Sequence, residues 1–350
     1  MAPEIDQAYL LDTLLKLLKT PSPTGSTSDV ISLIAAEFER LGLAHHQTKK
    51  GALLVTMSGQ TTESACAVTA HVDTLGAMVK EIKSNGRLAL SNLGGYYAGS
   101  VVGEYCLVET AGGQRLSGTV VQNKQSVHIH SRSDVHASAE SLDTVEIRLD
   151  AKTSSKSETE ALGIGVGDFV SWDPRAQVTE TGFVKSRHLD DKASAAAIVA
   201  TAEALVRAGV KPARTTYLYF STYEEVGHGG ASGIPNEIDE LLVVDIGIVG
   251  EGQASDEFAV SICPKDGGGP YDLTLRRKLV SLAEAGNIPY QLDIFINYAS
   301  DGTAAWRAGA DYRVGLIGPG IDSSHAYERT HQDSLNNTAR LIARFLQAES

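Results

Sequence analysis

The stretch "DKASAAAIVATAEALVRAG" (191–209) and the segments after it set the strongest limit on what this chain can fold into. Its alanine-rich pattern, closed by Gly209 and Pro212, predicts one long helix. The strand-like "TTYLYFST" and "ELLVVDIG" follow, and the alternation continues through "YDLTLRRKLVSLAEAG", "QLDIFI", "RVGLIG" and a last helix over "LNNTARLIARFLQ". Helix alternating with buried strand implies an α/β fold built on a parallel-type sheet. At the other end, leucines 11, 14, 15 and 18 in "IDQAYLLDTLLKLLKT" and the pattern in "SDVISLIAAEFERLG" predict two amphipathic helices separated by the turn "TPSPTGS".

Residues 76–176 break this rhythm. Short β-rich pieces ("GEYCLVET", "LSGTVV", "TVEIRLD") alternate with glycines, and nothing there predicts a long helix. The expectation is therefore a β-rich domain over 76–176 inserted into an α/β domain made of 1–75 and 177–350. The polar run "AKTSSKSETE" is expected to be a solvated loop, and no internal repeat is visible.

Composition narrows the function classes. A chain of 350 residues with 42% hydrophobic content and 34 glycines is ordinary for a soluble α/β protein with one large core or two moderate ones. No apolar run is long enough to span a membrane, and "MAPEIDQAYL" lacks a basic region followed by an apolar signal, so a cytoplasmic location is expected. Cys66, Cys106 and Cys263 form no CxxC pair, which suits a reducing compartment and argues against a disulfide framework or zinc finger. A formal charge of −13 without clustered Lys and Arg disfavours nucleic acid as a partner.

In "TAHVDTLG" (69–76), a buried strand would place His71 and Asp73 on the same side, a pair that alone is as well explained by a satisfied hydrogen bond at a strand end. Four further stretches sit where predicted strands give way to loops or helices. They are "SRHLDDKAS" (Asp190, Asp191), "STYEEVGHGG" (Glu224, Glu225, His228), "VVDIG" (Asp245) and "DSSHAYERTH" (His325, Glu328, His331). Carboxyl ends of strands in open α/β sheets converge on one crevice, so these stretches can meet. Singly, each has a bland explanation; "HLDD", for example, could cap a helix. Together, Asp, Glu and two His without thiolate suit a hard or borderline divalent ion, namely zinc, manganese or cobalt.

In order and spacing, "AHVDTLG", "HLDDKAS", "YEEVGHGG", "VDIG" and a late histidine resemble the TET-type dinuclear metallo-aminopeptidases, a family also described as glutamyl aminopeptidases or, misleadingly, as cellulases. "LGIGVGDFV" and "SDGTAAW" resemble further landmarks, so the likeness spans nearly the whole chain. It implies a mixed-sheet, zinc-exopeptidase-like catalytic domain with an inserted β-barrel for assembly and access. It also implies two divalent metal ions per subunit, zinc first and cobalt or manganese as alternatives, and a homo-oligomer such as a dodecamer acting on short peptides. Carried over by residue, one metal falls to His71 and Asp245, the second to Glu225 and His325, and Asp190 bridges them. Asp73 would hold His71 in its ligating tautomer and Glu224 would be the general base.

The late segment departs from the family pattern, because "GPGIDSSHAYERTHQDS" offers two histidines; distance from Pro319 favours His325 over His331. Lys192 stands where Arg is more usual. His188 and His228 are expected to serve the substrate pocket or hydrogen bonding, and His128 and His130 packing or subunit contacts. Two other readings fit the same motifs: a related dinuclear hydrolase acting on a modified small dipeptide, and a silent oligomeric binding protein. Intact Glu224 and all five ligands argue against silence.

Overall fold

The structure, a computed structural model, describes residues 3–137 and 141–349. Its centre is a 13-stranded mixed sheet. Strand Thr61–His71 is buried from Ala65 to His71, as a strand covered on both faces must be. Parallel neighbours flank it, Arg214–Ser221 on one side and Glu240–Val244 on the other, and Arg313–Asp322 continues parallel to Glu240–Val244. Antiparallel strands extend both sides: Leu53–Met57 and Ala44–Gln47 beyond Arg214–Ser221, then Glu328–His331, Phe183–Ser186 and Gln177–Val178 beyond Arg313–Asp322. The expected alternation thus supplies the parallel centre, and short antiparallel additions make the sheet mixed.

The alanine-rich helix spans Leu189–Arg207 and is buried along nearly its whole length. Ala193, Ala195, Ala196, Ala197, Ala200, Ala202 and Ala204 are all inaccessible, so small side chains let it lie close to the sheet while Gln7–Lys19 and Gln332–Gln347 pack on it from outside. Its N-cap is His188, in the left-handed region at φ 67°, and neither Asp190 nor Asp191 has helical dihedrals. The two aspartates are therefore not simple capping residues.

Six strands, Gly76–Ile82, Leu88–Leu93, Val145–Leu149, Arg115–Gln122, Tyr105–Glu109 and Phe169–Trp172, close into a barrel around Val79, Leu90, Val108, Val120, Ile147 and Val170. Closure leaves no unpaired edge. Two polar stretches are placed as follows. The run "AKTSSKSETE" is not all loop: Ser155 and Glu158 form a reciprocal capping box that starts a short helix, Lys156–Glu160. Residues of "SVHIHS" lie in an exposed turn, with Val127 and Ile129 at the surface. The three cysteines are free and buried, and no helix among the described residues is long and apolar enough to cross a membrane.

One buried ionic cluster ties the central strands together. Arg214, from the strand beside Thr61–His71, and Glu240, from the other neighbour, are each 1% exposed and form a charged hydrogen bond. Lys278 Nζ adds a contact at 3.0 Å and Arg313 one at 3.5 Å. Burial alone would raise the Glu240 carboxyl, but the Arg214 hydrogen bond holds it below the ordinary range. Glu240→Ala removes the buried carboxylate that Arg214 and Lys278 share and is expected to cost about 3–5 kcal/mol. Because the wild-type contribution is complete above the unfolded value of about 4.3 and is lost as pH falls through the lower folded value, the difference should narrow in acid. Urea unfolding at neutral pH with equal midpoints for both proteins would contradict this.

Candidate metal centre

The carboxyl ends of the parallel strands assemble the site. Registers pair Ser221 with His71 and Val244 with Ile317, so the residues just past each strand emerge side by side. Asp245 follows Val244 directly, and Gly318 passes so close that a Cβ there would sit 1.3 Å from the Asp245 carbonyl oxygen; only glycine fits. Glu224 and Glu225 lie on a 3₁₀ turn, Glu224–Val226, after the Ser221 strand end. Asp190 enters from the start of the alanine-rich helix, and His325 from the loop after Arg313–Asp322.

His71, Asp190 and Asp245 are buried, and each offers one ligand atom within 4.8 Å of the others. His71 Nε2 lies 3.1 Å from Asp190 Oδ1 and 3.7 Å from Glu224 Oε2. The second Asp190 oxygen lies 3.4 Å from His325 Nε2, which is 3.8 Å from Glu225 Oε2. Asp190 therefore stands between the two histidines, with Glu224 on the His71 side and Glu225 on the His325 side. Both imidazoles have one orientation fixed by the backbone: His71 Nδ1 meets the Asp73 carbonyl at 3.0 Å, and His325 Nδ1 meets the Gly95 carbonyl. A carbonyl only accepts, so each Nδ1 carries a proton; beside Asp190 each Nε2 is protonated as well, and loss of that proton to a metal would leave the Nε2 lone pair facing inward.

Asp73 reaches His71 Nδ1 through both its backbone and its side chain. Its carbonyl, at 3.0 Å, is nearer to His71 Nδ1 than its carboxylate, at 3.6 Å. The carboxylate instead accepts the backbone N–H groups of Glu224 (3.2 Å) and Glu225 (3.3 Å) and the Thr24 hydroxyl (2.7 Å). It shapes the acidic turn as well as lying beside the histidine.

The other flagged histidines make different contacts. His331 caps the last helix, with Nδ1 accepting Asp333 N–H at 3.1 Å and Nε2 donating to the Thr181 carbonyl at 2.9 Å. His228 stacks on Tyr223, His188 is buried at the helix start, and His128 is exposed. Lys192 donates to the Thr20 carbonyl at 2.7 Å.

Two buried acids take part in the site although the sequence assigned them no role, Glu328 having stood only among the candidates of its stretch. Glu328 accepts Asp190 N–H at 3.1 Å and His325 N–H at 3.2 Å through its two oxygens, linking both residues with one carboxylate. Asp301, from "SDGTAAW", accepts the Ser221 hydroxyl at 2.5 Å behind the acidic turn. Glu328 shares a strand pattern with Arg329 and Thr330 that only the three-dimensional contact distinguishes; Asp301 carried a motif signal without a role.

The donor set fits a divalent cation. Glu225 Oε1 and Asp191 Oδ1 are buried without a hydrogen-bond partner, an arrangement that is costly for carboxylates lacking a compensating charge. Burial and the neighbouring Asp190 push Asp245 up to about 7, Glu225 to about 8 and Glu328 to about 8. Burial would lower His325, but the Asp190 contact lifts it to about 10. The same competition holds His71 well above the histidine range, and Asp190, which burial would raise, is held low by His325 and His71. Without a cation, shared protons neutralise the cluster.

An α/β sheet thus carries His, Asp and Glu donors at its strand ends beside a closed barrel, and the family match makes the chain a hydrolase of the peptidase class. The chain belongs to the M42 glutamyl aminopeptidase family, whose profile matches residues 51–341. YhfE of Bacillus subtilis (strain 168), provisionally named an aminopeptidase, is 46% identical over 338 residues, covering 97% of this chain and 97% of its own. The TET aminopeptidase from the marine sediment archaeon Thaumarchaeota archaeon SCGC AB-539-E09 shares the fold, with a TM-score of 0.87 at 18% identity over 97% of this chain and 96% of that one. A Pyrococcus horikoshii TET1 peptidase, described as able to assemble into a tetrahedron or a large octahedral shell, matches with a TM-score of 0.86 at 20% identity over 97% and 100% of the two chains.

Asp245, Glu225, Glu328 and His325 all bind a proton more tightly folded than unfolded, where ordinary values are about 3.9 for Asp, 4.3 for Glu and 6.5 for His. Their stabilisation is complete below the unfolded values and is lost as pH rises through the folded ones. Metal-stripped protein should therefore melt at a lower temperature at pH 8 than at pH 6, and added divalent ion should offset the loss. A melting temperature that climbs over this interval without metal would contradict the assignment of these shifts.

Proposed function

We propose that this M42 aminopeptidase is a dinuclear metal-dependent enzyme that removes N-terminal residues from short peptides. The observation that carries the reading is the placement of Asp190 between His71 and His325, with Asp245, Glu224 and Glu225 around it. His71 and Asp245 would hold one ion, Glu225 and His325 the other, and Asp190 both; zinc is the first choice, with cobalt or manganese as alternatives. When bound, the ions would lower the pKa of water and polarise the scissile carbonyl.

The remaining work falls to the chain. Glu224 is the more open of the two glutamates, its side chain 14% exposed against 3% for Glu225. Its carboxylate accepts the proton of the attacking water and returns it to the leaving amine. Asp73 holds the backbone of Glu224 and Glu225, which keeps the base and its neighbour on separate sides. Glu328 fixes Asp190 and His325 relative to each other.

Residues 1–75 and 177–350 are proposed as the catalytic domain, with 76–176 as an inserted assembly domain in a homo-oligomer such as a dodecamer. The assemblies described for the Pyrococcus horikoshii relative support this. A cytoplasmic setting is proposed on three free buried cysteines, and no nucleic-acid or membrane partner is invoked.

The reading is tested by elemental analysis followed by hydrolysis of free and N-acetylated aminoacyl amides. Two equivalents of metal and a preference for free amines are expected; activity on blocked substrates alone would point to a hydrolase of modified dipeptides, and no turnover by loaded protein to a silent binding protein. Glu224→Gln should keep both metals while kcat falls by roughly 10²–10⁴, whereas Glu225→Gln should lose metal first. Restoration of the Glu224 variant by excess zinc would exchange the two roles. Asp190→Asn and His325→Ala should each lose at least one equivalent. His331→Ala should retain metal and instead lose about 1 kcal/mol of stability as a helix cap; the reverse order of metal loss in a chelator titration would transfer the ligand role to His331.

A further inference from the structure

The barrel reaches the candidate centre through one short segment. Its first strand, Gly76–Ile82, starts just past His71 and Asp73, and the next, Leu88–Leu93, returns antiparallel with Leu93 opposite Gly76. The chain leaving that hairpin at Gly94 and Gly95 is thus brought back beside the strand end from which the barrel departed. Two hydrogen bonds pin it: Asn92 Nδ2 donates to the Gly94 carbonyl at 2.7 Å, and the Tyr96 hydroxyl donates to the Gly76 carbonyl at 2.9 Å.

Both glycines meet the proposed metal-binding residues. The Gly95 carbonyl accepts from His325 Nδ1 and so fixes which nitrogen of that ring faces Asp190. Gly94 has φ +76°, and a Cβ there would lie 2.4 Å from Leu75 Cδ2, 3.3 Å from Glu225 Oε2 and 3.5 Å from Glu225 Cβ. A side chain at Gly94 must displace Leu75 and crowds Glu225. The continuation of the segment is anchored to the sheet side, where Arg187 donates to the Ser100 carbonyl, to Glu104 at 3.2 Å and to the Ala326 carbonyl at 3.2 Å, next to His325.

We propose that Gly94 and Gly95 are positioning residues of the centre, seating Glu225 and setting the His325 ring, so that the barrel is a working part of the site in addition to any role in assembly. This rests on the dinuclear reading above. A carbonyl behind a ligating histidine orients the ring, and loss of such a partner typically weakens metal binding about 10–100-fold.

The full chain supplies a matched pair of variants for a zinc-chelator competition. Gly103, in the same segment, has φ +88°, and a Cβ there would touch nothing within 4 Å. Gly94→Ala and Gly103→Ala therefore share the backbone strain of Ala at positive φ but differ in contact with the site. Gly94→Ala should bind one zinc equivalent about 10–100-fold more weakly than wild type, with kcat falling at limiting zinc and recovering in excess. Gly103→Ala should lose thermal stability yet keep wild-type zinc affinity. Equal zinc affinities for the two variants would overturn the proposal. Should Gly94→Ala fail to fold, Glu104→Gln decides: it loosens the Arg187 anchor without touching Glu225 or His325, so weaker zinc binding supports the proposal and wild-type affinity overturns it. Wild-type protein that binds no divalent ion would overturn both this inference and the dinuclear reading. Loss of an equivalent in His325→Ala with equal affinities in the two glycine variants would remove this inference alone.

Discussion

Mutual repulsion among buried carboxylates is the constraint around which the molecule is organised. Asp190, Asp191, Asp245, Glu224, Glu225, Asp301 and Glu328 crowd one end of the sheet, and the basic groups within contact of their side chains are chiefly the imidazoles of His71 and His325. A group of this kind destabilises a fold unless protons, dipoles or a cation compensate it. The backbone supplies part of the compensation. Asp73 accepts two N–H groups, Glu328 two, Asp245 its neighbour's and Asp191 that of His71. What remains is a concentration of negative charge suited to a divalent ion.

The same crowding dictates where side chains are forbidden. Gly318 under Asp245 and Gly229 and Gly230 against Asp301 are positions where a Cβ would collide with an acidic residue of the site or its backbone, and at Gly94 a Cβ would collide with Leu75 and crowd Glu225. These glycines come from different segments, one of them from the barrel. The site is thus a junction of two packing units, and its geometry depends on how closely their backbones approach. The Arg187–Glu104 contact belongs to that junction, because it joins the helix entry beside Asp190 to the barrel segment beside His325.

Farther from the site, charge is handled by pairing. Arg214 and Glu240 neutralise each other inside the sheet that carries His71 and Asp245, so deformation there would be transmitted to both strand ends. The alanine-rich helix contributes differently: it has little side-chain volume, allowing the sheet, the first helix and the last helix to close around it and leaving Asp190 at its entry. Packing and chemistry share the same helix because its N-terminal residues depart from helical geometry before its apolar body begins.

The sequence by itself determined the periodic features. Helical spacing located the first two helices and the long alanine-rich one, runs of apolar residues located the parallel strands, and glycine-punctuated short strands marked the barrel stretch, because burial imposes a period on side chains wherever an element packs. Metal-suited residue types at strand ends gave a wider set of candidates, visible as letters, and the family resemblance singled out His71, Asp190, Glu224, Glu225, Asp245 and His325 among them. Tertiary structure alone decided their partners. That Asp73 holds the acidic turn, that Glu328 joins Asp190 to His325, that His331 caps a helix, and that Gly95 of the barrel orients His325 are contacts between segments distant in sequence. No local period encodes such contacts, because they arise from the registers of neighbouring strands and from backbones that approach closely only after the chain has folded.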